Sequence, residues 1–386
     1  MKKYLYIGLG IVVFFVLIIG FWFVHILSGL PDVSSLKHYR PLLAAEVLDR
    51  DGQLLTNYYD RKFRIWVPIS RIPDIVIQAV VTAEDDTFFE HTGVNYKATW
   101  DALVHDVKKH RFARGGSTIT QQMVKNVLLS REKTINRKVR EYVLAVKAEE
   151  LLTKRQILEI YLNEVEWGEN IFGIESASRF YLDKHVAELS TAEAALLAGM
   201  LPNPHYFNPY KRMEKARERQ ERILFNMQQA KILTEEEYAA VVAAPLTLRQ
   251  EGKGKLYIPS QGSENHRPCY EHALEQALLA VFGEYDLYRS GRTIKTTLDR
   301  SLQAELGQEK GPHHQPAVGA GIPEEVLAVM QGGIIRAFVC GTDREQEVHE
   351  ILASHWFQFR GYEVSRISPQ SISREQIIQP EDDKVK

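Results

Sequence analysis

The stretch PDIVIQAVVTAEDDTFFEHTG, Pro73 to Gly93, places three consecutive acids directly after an apolar segment. A proline followed by this apolar segment predicts a helix through DIVIQAVVTAE that ends at or near Glu84. Acid runs usually lie on solvated surfaces, yet two phenylalanines, a histidine and a glycine follow this one within a few residues. The pattern marks Glu84, Asp85 and Asp86 as candidates for chemistry without choosing among them.

Upstream of this stretch, an uncharged apolar run extends from Tyr4 to Val24. About twenty apolar residues suffice to cross a bilayer as a helix. Lysines before the run and Asp32 after it place the amino terminus in the cytoplasm and the rest of the chain outside. A cleaved signal peptide is the alternative, but the run is long for one and no clear A-x-A site follows. We therefore expect residues 1–30 to form a cytoplasmic tip and a transmembrane anchor.

Charge indicates the class of ligand. The formal net charge is only −2, but residues 105–155 contain thirteen Lys or Arg against five Asp or Glu. Such a local excess favours an anionic ligand. Nucleic acid is not expected as a partner outside the membrane, so phosphate on a lipid or a sugar is the better candidate. Cys269 and Cys340 lie too far apart for a zinc motif, and a disulfide between them is allowed but not required.

The residues from 44 to 245 are predicted to form one mostly helical domain. It opens with AAEVLDRDGQLLTNYY, Ala44 to Tyr59, which predicts two strands around an Asp51-Gly52 turn. An amphipathic helix is expected from about Met213 to Gln229. Helix starts are marked by four capping boxes: Thr118 with Gln121, Thr153 with Gln156, Ser190 with Glu193, and Thr234 with Glu237.

Beyond Pro245 the composition changes to that of a linker, rich in Gly, Pro and Ser. Residues 246–310 are expected to hold this linker, a helix near Tyr270 to Phe282 and a strand from Arg292 to Asp299. Residues 311–386 show weaker periodicity and are expected to form a degenerate tail. The carboxyl-terminal part as a whole is predicted to be a small α+β segment.

Two further stretches contain candidate binding residues. GGSTITQQ, Gly115 to Gln122, places two glycines and Ser-Thr at a helix start, where free backbone N–H groups suit an anion. Lys125 lies one turn after Gln121 on the same predicted helix. Taken alone, two glycines before a helix are more often a simple turn.

The second stretch is NRKVREYVLAVKAEELL, Asn136 to Leu152. Helical spacing predicts that Ile135 and three later residues, Val139, Tyr142 and Val146, face the core. Arg137, Lys138 and Glu141 then project from a neighbouring face. The plainer interpretation is an ordinary ion pair between residues four apart.

In their order along the chain, five segments resemble the successive motifs of the peptidoglycan glycosyltransferase domain of class A penicillin-binding proteins and monofunctional transglycosylases. They are EDDTFFEHTG, GGSTITQQMVKN, RKVREYVLAVKAEE, EIYLNEVEWGENIFGIESAS and LSTAEAALLAGMLPNPHYFNP. The resemblance implies a lysozyme-like, mainly helical fold at the outer face of the inner membrane. It also implies the polymerisation of lipid II into β-1,4-linked glycan with inversion and release of undecaprenyl pyrophosphate.

The resemblance also assigns roles. It places the general base on Glu84 and a second essential glutamate on Glu141, and it implies a divalent metal ion, Mg²⁺ or Mn²⁺, with Asp85 and Glu141 as candidate ligands. The residues expected to bind the donor phosphates and the substrate are Ser117, Gln121, Lys125, Asn126, Arg137, Lys138 and one of Arg131 and Lys133. Expected partners are lipid II, the growing glycan strand, the inner membrane and other cell-wall synthesis proteins.

Two other functions are compatible with the same fold. A non-catalytic scaffold in cell-wall assembly predicts that key acids or bases are missing, and none is. A lytic enzyme that cleaves glycan has no need for the basic set. Between the first two motifs, Trp100, Leu103, Val104, Val107 and Phe112 alternate with basic residues, which favours contact with the membrane over ordinary packing.

The carboxyl-terminal part resembles the entry to a transpeptidase domain in RSGRTIKTTLDRSLQ, Arg289 to Gln303, and in GGIIRAFVCG, Gly332 to Gly341. A penicillin-binding site needs S-x-x-K, S-x-N and K-T-G elements. The two S-x-x-K matches, at Ser34 and Ser130, lie beside the anchor and inside the glycosyltransferase segment. We therefore expect a truncated remnant without transpeptidase activity.

Overall fold

The structure is a computed structural model. It describes residues 2–97, 100, 116–130, 132, 134–168, 170–249, 269–306, 326–339, 348 and 362–379. The chain divides into two compact units. The first comprises Met1–Arg40, Val67–Gly168 and Phe172–Leu248, and the second comprises Pro41–Trp66, Glu169–Ile171 and Arg249–Lys386.

The first unit is helical. Its described helices are α1 Lys2–Ser28, α2 Asp74–Glu84, α3 Ile119–Leu128, α4 Ile135–Leu151, α5 Lys154–Glu164, α6 Ile174–Leu182, α7 Thr191–Met200, α8 Met213–Gln229 and α9 Glu235–Ala243. Every residue of α7 from Ala192 to Met200 is buried. This apolar helix packs against α2 and α8, while α3 packs against α4 and α5. The mainly α class of the predicted fold is confirmed.

The four predicted capping boxes are all present, at the starts of α3, α5, α7 and α9. In each, the Ser or Thr side chain accepts from the backbone N–H three residues on, and the Glu or Gln side chain accepts from the N-cap backbone N–H. Two otherwise unpaired donors are thereby satisfied at each helix start. The helices α2 and α8 also begin and end where the sequence predicts.

Helix α1 contains one apolar stretch long enough to cross a membrane. Its large apolar side chains are exposed along the run, and burial begins only at Ile26 near the helix end. Such a surface is unfavourable in water and favourable in lipid. The finding is consistent with the predicted anchor.

Helix α4 presents a different face to the core from the predicted one. Ile135 is 76% exposed, and the residues that the helix buries are Glu141, Leu144, Ala145 and Ala148. These positions recur at i, i+3, i+4 and i+7, and two of them, Ala145 and Ala148, have small side chains. Small residues allow neighbouring backbones to approach closely, and the rotation of the helix places the Glu141 carboxylate in the interior.

The strands are short. In chain order they are β1 Ala45–Leu48, β2 Leu54–Tyr58, β3 Phe63–Arg64, β4 Glu166–Gly168, β5 Ile171–Phe172, β6 Thr293–Lys295, β7 Val326–Gln331, β8 Ile334–Val339 and β9 Tyr362–Ile367. The predicted hairpin is present as β1 and β2, which pair antiparallel around Gly52 with φ +80°. That dihedral suits glycine in a tight turn.

The hairpin belongs to the second unit, which differs from the predicted domain start at residue 44. Strand β1 pairs in parallel with β6, with Val47 opposite Ile294. Val47 and Tyr58 are buried in a core shared with Leu274, Leu278 and other residues of this unit. The hairpin therefore belongs to the second unit because of its pairing with the distant strand β6, and the local sequence of the hairpin does not reveal that pairing.

The second unit also holds the helices α10 Cys269–Arg289, α11 Arg300–Leu306 and α12 Arg374–Ile377. Gly283, at φ +78°, breaks α10 close to the predicted helix end at Phe282. Strands β8, β7 and β9 form an antiparallel sheet in that order. The observed β6 is shorter than the predicted strand from Arg292 to Asp299. Cys340 and the Cys269 side chain lie outside the described residues, and so does most of the predicted membrane-contact segment.

Candidate active site

Glu84 lies at the last position of α2, where the chain leaves the helix at Asp85. Its half-buried carboxylate accepts a hydrogen bond of 2.8 Å from the Gln122 side-chain amide on α3. The Tyr161 hydroxyl on α5 donates in turn to the Gln122 carbonyl oxygen, at 3.4 Å. Three helices therefore fix the position of one carboxylate.

Burial raises the pKa of Glu84 above its ordinary value, and the Gln122 hydrogen bond and the charges of Arg219 and Lys125 act in the opposite direction. A carboxylate with a raised pKa binds a proton more tightly and is a stronger base. The environment of Glu84 is therefore that of a proton acceptor.

The contacts of Asp85 indicate a structural role. Its carboxylate accepts from the backbone N–H of Ile119 at 2.9 Å and lies 3.0 Å from His91 Nε2. The first of these contacts satisfies a free donor at the start of α3. Asp86 is exposed. The three consecutive acids thus differ in environment. Burial raises the pKa of Asp85 as well as that of Glu84, but the Asp85 carboxylate is engaged by the Ile119 N–H and by His91.

The last residue of the EDDTFFEHTG motif, Gly93, cannot be replaced by a larger residue without strain. It has φ +91°, and a Cβ at this position would lie 2.6 Å from the Ala145 carbonyl oxygen on α4. Its own carbonyl oxygen accepts from the Thr118 hydroxyl at 2.6 Å. Glycine is therefore required both by the backbone conformation and by the close approach of α4.

A second cluster lies where the start of α3 meets α4. Lys138 Nζ donates to Ser117 Oγ and to Glu141 Oε2, both at 2.8 Å. Arg137 Nε lies 3.2 Å from Glu141 Oε1. Glu141 is buried, whereas the Lys138 side chain is 38% exposed. One buried carboxylate thereby holds two cations in place beside the predicted anion-binding turn.

Lys125 connects the two clusters electrostatically. Burial lowers its pKa below the ordinary value, the charges of Arg137 and Lys138 lower it further, and those of Glu141 and Glu84 raise it. The charge of the ammonium group therefore interacts with both carboxylates. The structure brings Glu84, Lys125, Arg137, Lys138 and Glu141 into one charged region.

Other predicted residues have different positions. Gln121 is fully buried and its side-chain oxygen accepts from the Thr118 N–H, so it caps α3. Asn126 is exposed. Arg131 and Lys133 lie outside the described residues. The role of Gln121 in substrate binding and the choice between Arg131 and Lys133 stay predictions.

Three residues near Glu84 are absent from the sequence-based site: Gln122, Tyr161 and Arg219. Gln122 follows Gln121 directly, and a helix model alone does not tell which of the two faces α2. Tyr161 and Arg219 come from distant helices, and Arg219 is one of several cations on α8. No local pattern in the sequence distinguishes it from them.

The described residues do not form an evident metal site. Within these parts of the chain, no group of three His, Cys, Asp or Glu side chains is placed to hold an ion. Asp85 is engaged by His91 and the Ile119 N–H, and Glu141 by Arg137 and Lys138. These two carboxylates therefore do not fit the ligand set expected from the resemblance.

Comparison with known proteins gives a family for this region. The transglycosylase family model matches residues 51–228. Penicillin-binding protein 1A of Aquifex aeolicus is 36% identical over 315 residues, covering 81% of this chain and 42% of that protein. Penicillin-binding protein 1A of Vibrio cholerae is 32% identical over 291 residues, covering 75% and 34%.

Among solved structures, the crystal structure of penicillin-binding protein 1A from Haemophilus influenzae covers 69% of this chain and 29% of its own, at 20% identity and a TM-score of 0.37. That likeness is too low to support an argument about the fold. The chain spans less than half the length of the curated relatives described above. The family model and these relatives together show that residues 51–228 form a transglycosylase domain.

Proposed function

We propose that this chain is a peptidoglycan glycosyltransferase that polymerises lipid II into β-1,4-linked glycan. The observation that carries the proposal is the half-buried Glu84 carboxylate, held by Gln122, together with the cations Lys138 and Arg137, held by Glu141. A transfer from a sugar diphosphate needs these two features, a base for the acceptor and positive charge for the leaving group.

In the proposed reaction, Glu84 takes the proton from the 4-hydroxyl of the acceptor sugar. The resulting oxygen nucleophile forms a bond to C1 of the donor sugar while the bond from C1 to the diphosphate oxygen breaks. Attack from the opposite face converts the α-linkage of the donor into a β-linkage. Undecaprenyl pyrophosphate leaves with the bonding electron pair, and no general acid is required because diphosphate is already a good leaving group.

The cations stabilise the charge that develops on the diphosphate. Lys138 and Arg137 are held by Glu141, so their charges are fixed before the donor arrives. A preorganised cation needs no rearrangement in the transition state, which is why such groups contribute strongly to catalysis. In this assignment Glu141 acts through the two cations that it positions. A divalent metal ion stays part of the expectation from the resemblance, and no step here depends on it.

The proposed location follows from the substrate. Lipid II is membrane-bound, and α1 provides a segment able to span the bilayer next to the catalytic domain. We place the catalytic unit on the outer side of the cytoplasmic membrane, with lipid II and the growing glycan strand as its partners. Other cell-wall synthesis proteins are further expected partners.

The proposal is tested by incubating the full chain, purified in detergent, with labelled lipid II and resolving glycan polymers on a gel. Glu84→Gln keeps the side-chain volume but cannot accept the proton. We expect it to reduce polymerisation by about two to four orders of magnitude, the usual contribution of a general base. Asp86→Asn, which changes an exposed acid two residues away, is the matched control and should retain activity.

A Glu84→Gln variant that polymerises within a few-fold of the parent would remove Glu84 from the role of base. A parent chain that binds lipid II but forms no polymer would favour the scaffold function over the enzyme. Shortening of preformed glycan instead of synthesis would favour a lytic enzyme.

A further inference from the structure

A cavity of ≈ 630 Å³ lies at the end of the membrane-spanning helix. Its lining comprises residues 29–31 after α1, residues 128–130 at the end of α3, Glu132, and the start of α4 with Thr134, Asn136, Arg137 and Arg140. All these residues belong to the first unit. Arg137 is already engaged by Glu141, so among the described lining residues Arg140 is the cation that the proposed reaction does not use.

Arg140 has no anionic partner among the described residues. Its Nε atom is buried and has no hydrogen-bond partner, and within the described residues no carboxylate forms an ion pair with it. The guanidinium extends to the end of α1, since a Cβ on Gly29 would lie 3.1 Å from Arg140 Nη2. Arginine binds phosphate through paired N–H groups, and a buried unpaired donor costs free energy unless it is satisfied.

The depth of the cavity identifies the source of the anion. The apolar run of α1 ends at Val24, and Gly29 follows five residues later. At about 1.5 Å per helical residue, Gly29 lies roughly 7 Å beyond the end of the apolar run. The headgroup layer on each side of the hydrocarbon core is about 5–8 Å deep. A helix that spans the bilayer therefore places Gly29 and Arg140 at the level of the lipid phosphates.

We infer that this cavity binds the phosphate of an anionic membrane phospholipid, with Arg140 as its principal cation. The bound lipid would join the end of the anchor to α4, which carries Glu141 and its cations. The inference does not depend on the proposed glycan synthesis, since it concerns lipid binding alone.

The test uses the full chain in a non-ionic detergent, titrated with phosphatidylglycerol and observed by native mass spectrometry. We expect the parent to retain one lipid molecule. Arg140→Gln should weaken retention by about tenfold or more, the effect of losing one charged hydrogen-bond donor. Lys147→Gln removes an exposed cation from the same helix, away from the cavity lining, and should leave lipid retention unchanged.

A conservative variant and a measurement of stability complete the experiment. Arg140→Lys retains the charge and should recover part of the binding, while the melting temperature of each variant shows whether the fold is intact. Equal retention by the parent and a folded Arg140→Gln variant would overturn the inference. Binding of undecaprenyl pyrophosphate without any binding of phosphatidylglycerol would also overturn it, since the cavity would then belong to the donor site.

Discussion

At the scale of single residues, three adjacent acids have three different surroundings. Glu84 is half-buried against Gln122, Asp85 joins His91 to the start of α3, and Asp86 is exposed. The sequence identifies the group of acids but cannot separate its members. Their roles depend on side chains from other helices, which local sequence does not place.

Arg219 offers a test of how the site adjusts the proton affinity of Glu84. Its charge lowers the pKa of Glu84 and opposes the effect of burial. The carboxylate form is the active base, so polymerisation should fall as the pH drops through this pKa. Removing the cation with Arg219→Gln raises the pKa, and the acid limb of the pH–rate profile should move to higher pH.

Arg217→Gln is the matched control, since Arg217 is exposed on the same helix. Its acid limb should coincide with that of the parent chain. An Arg219→Gln limb that also coincides with the parent would show that Arg219 does not influence the base.

At the scale of helices and strands, capping motifs predict where a helix starts more accurately than apolar periodicity predicts which face of the helix is buried. All four capping boxes form as predicted because each involves residues only three apart. The predicted apolar face of α4 is wrong because several apolar residues lie on more than one side of that helix, and the neighbouring helices select which side packs. The selection depends on tertiary contacts and is not encoded in the spacing.

The cap of α3 provides a prediction that separates stability from activity. Thr118→Ala removes the side-chain acceptor for the Gln121 N–H and the hydroxyl that donates to Gly93. We expect a loss of about 1–2 kcal/mol in the free energy of unfolding. Activity measured well below the melting temperature should also fall, because the cap positions both Ser117 and the loop after Glu84.

Thr234→Ala is the control, because Thr234 caps α9 with the same geometry. Because Thr234 is exposed, whereas Thr118 is buried and also donates to Gly93, Thr234→Ala should cost less free energy of unfolding, measured by urea titration, and should cause no loss of activity. If the two variants lowered activity equally, the cap of α3 would have no special link to the site.

At the scale of the whole molecule, the sequence predicts the mainly helical class, whereas the compact unit that contains the β1–β2 hairpin is determined by distant residues. The β1–β2 hairpin is visible in the sequence, but its parallel pairing with β6 brings together residues more than two hundred positions apart. Such a pairing is fixed by the shared core of the second unit. By contrast, the candidate base Glu84 and the cations Lys125, Arg137 and Lys138 lie in sequence motifs that the family resemblance identifies directly.

The anchor can be tested at this scale. Leu17 lies near the middle of the apolar run and is exposed. An arginine at the centre of a membrane helix costs about 2.5–3.5 kcal/mol on insertion scales. Leu17→Arg should therefore shift protein from the membrane pellet to the supernatant after carbonate extraction, whereas Leu17→Phe should remain in the pellet. A Leu17→Arg chain retained as well as the parent would count against a spanning role for α1.

Because the charge of Lys125 interacts with both Glu84 and Glu141, we expect the proposed diphosphate substrate to alter the proton affinity of the base. A diphosphate that binds at the cations offsets the charge of Lys125, and Glu84 then loses part of the field that favours its ionised form. We therefore expect donor binding and proton binding at the base to be thermodynamically linked, so that each strengthens the other. The enzyme would hold a weaker base while empty and a stronger one once loaded. The acid limb of kcat should accordingly lie at higher pH than that of kcat/KM, because the first reports the loaded enzyme and the second the free one. If the acid limbs of kcat and kcat/KM coincided, the pKa of Glu84 would be determined by the protein alone and not by the bound donor.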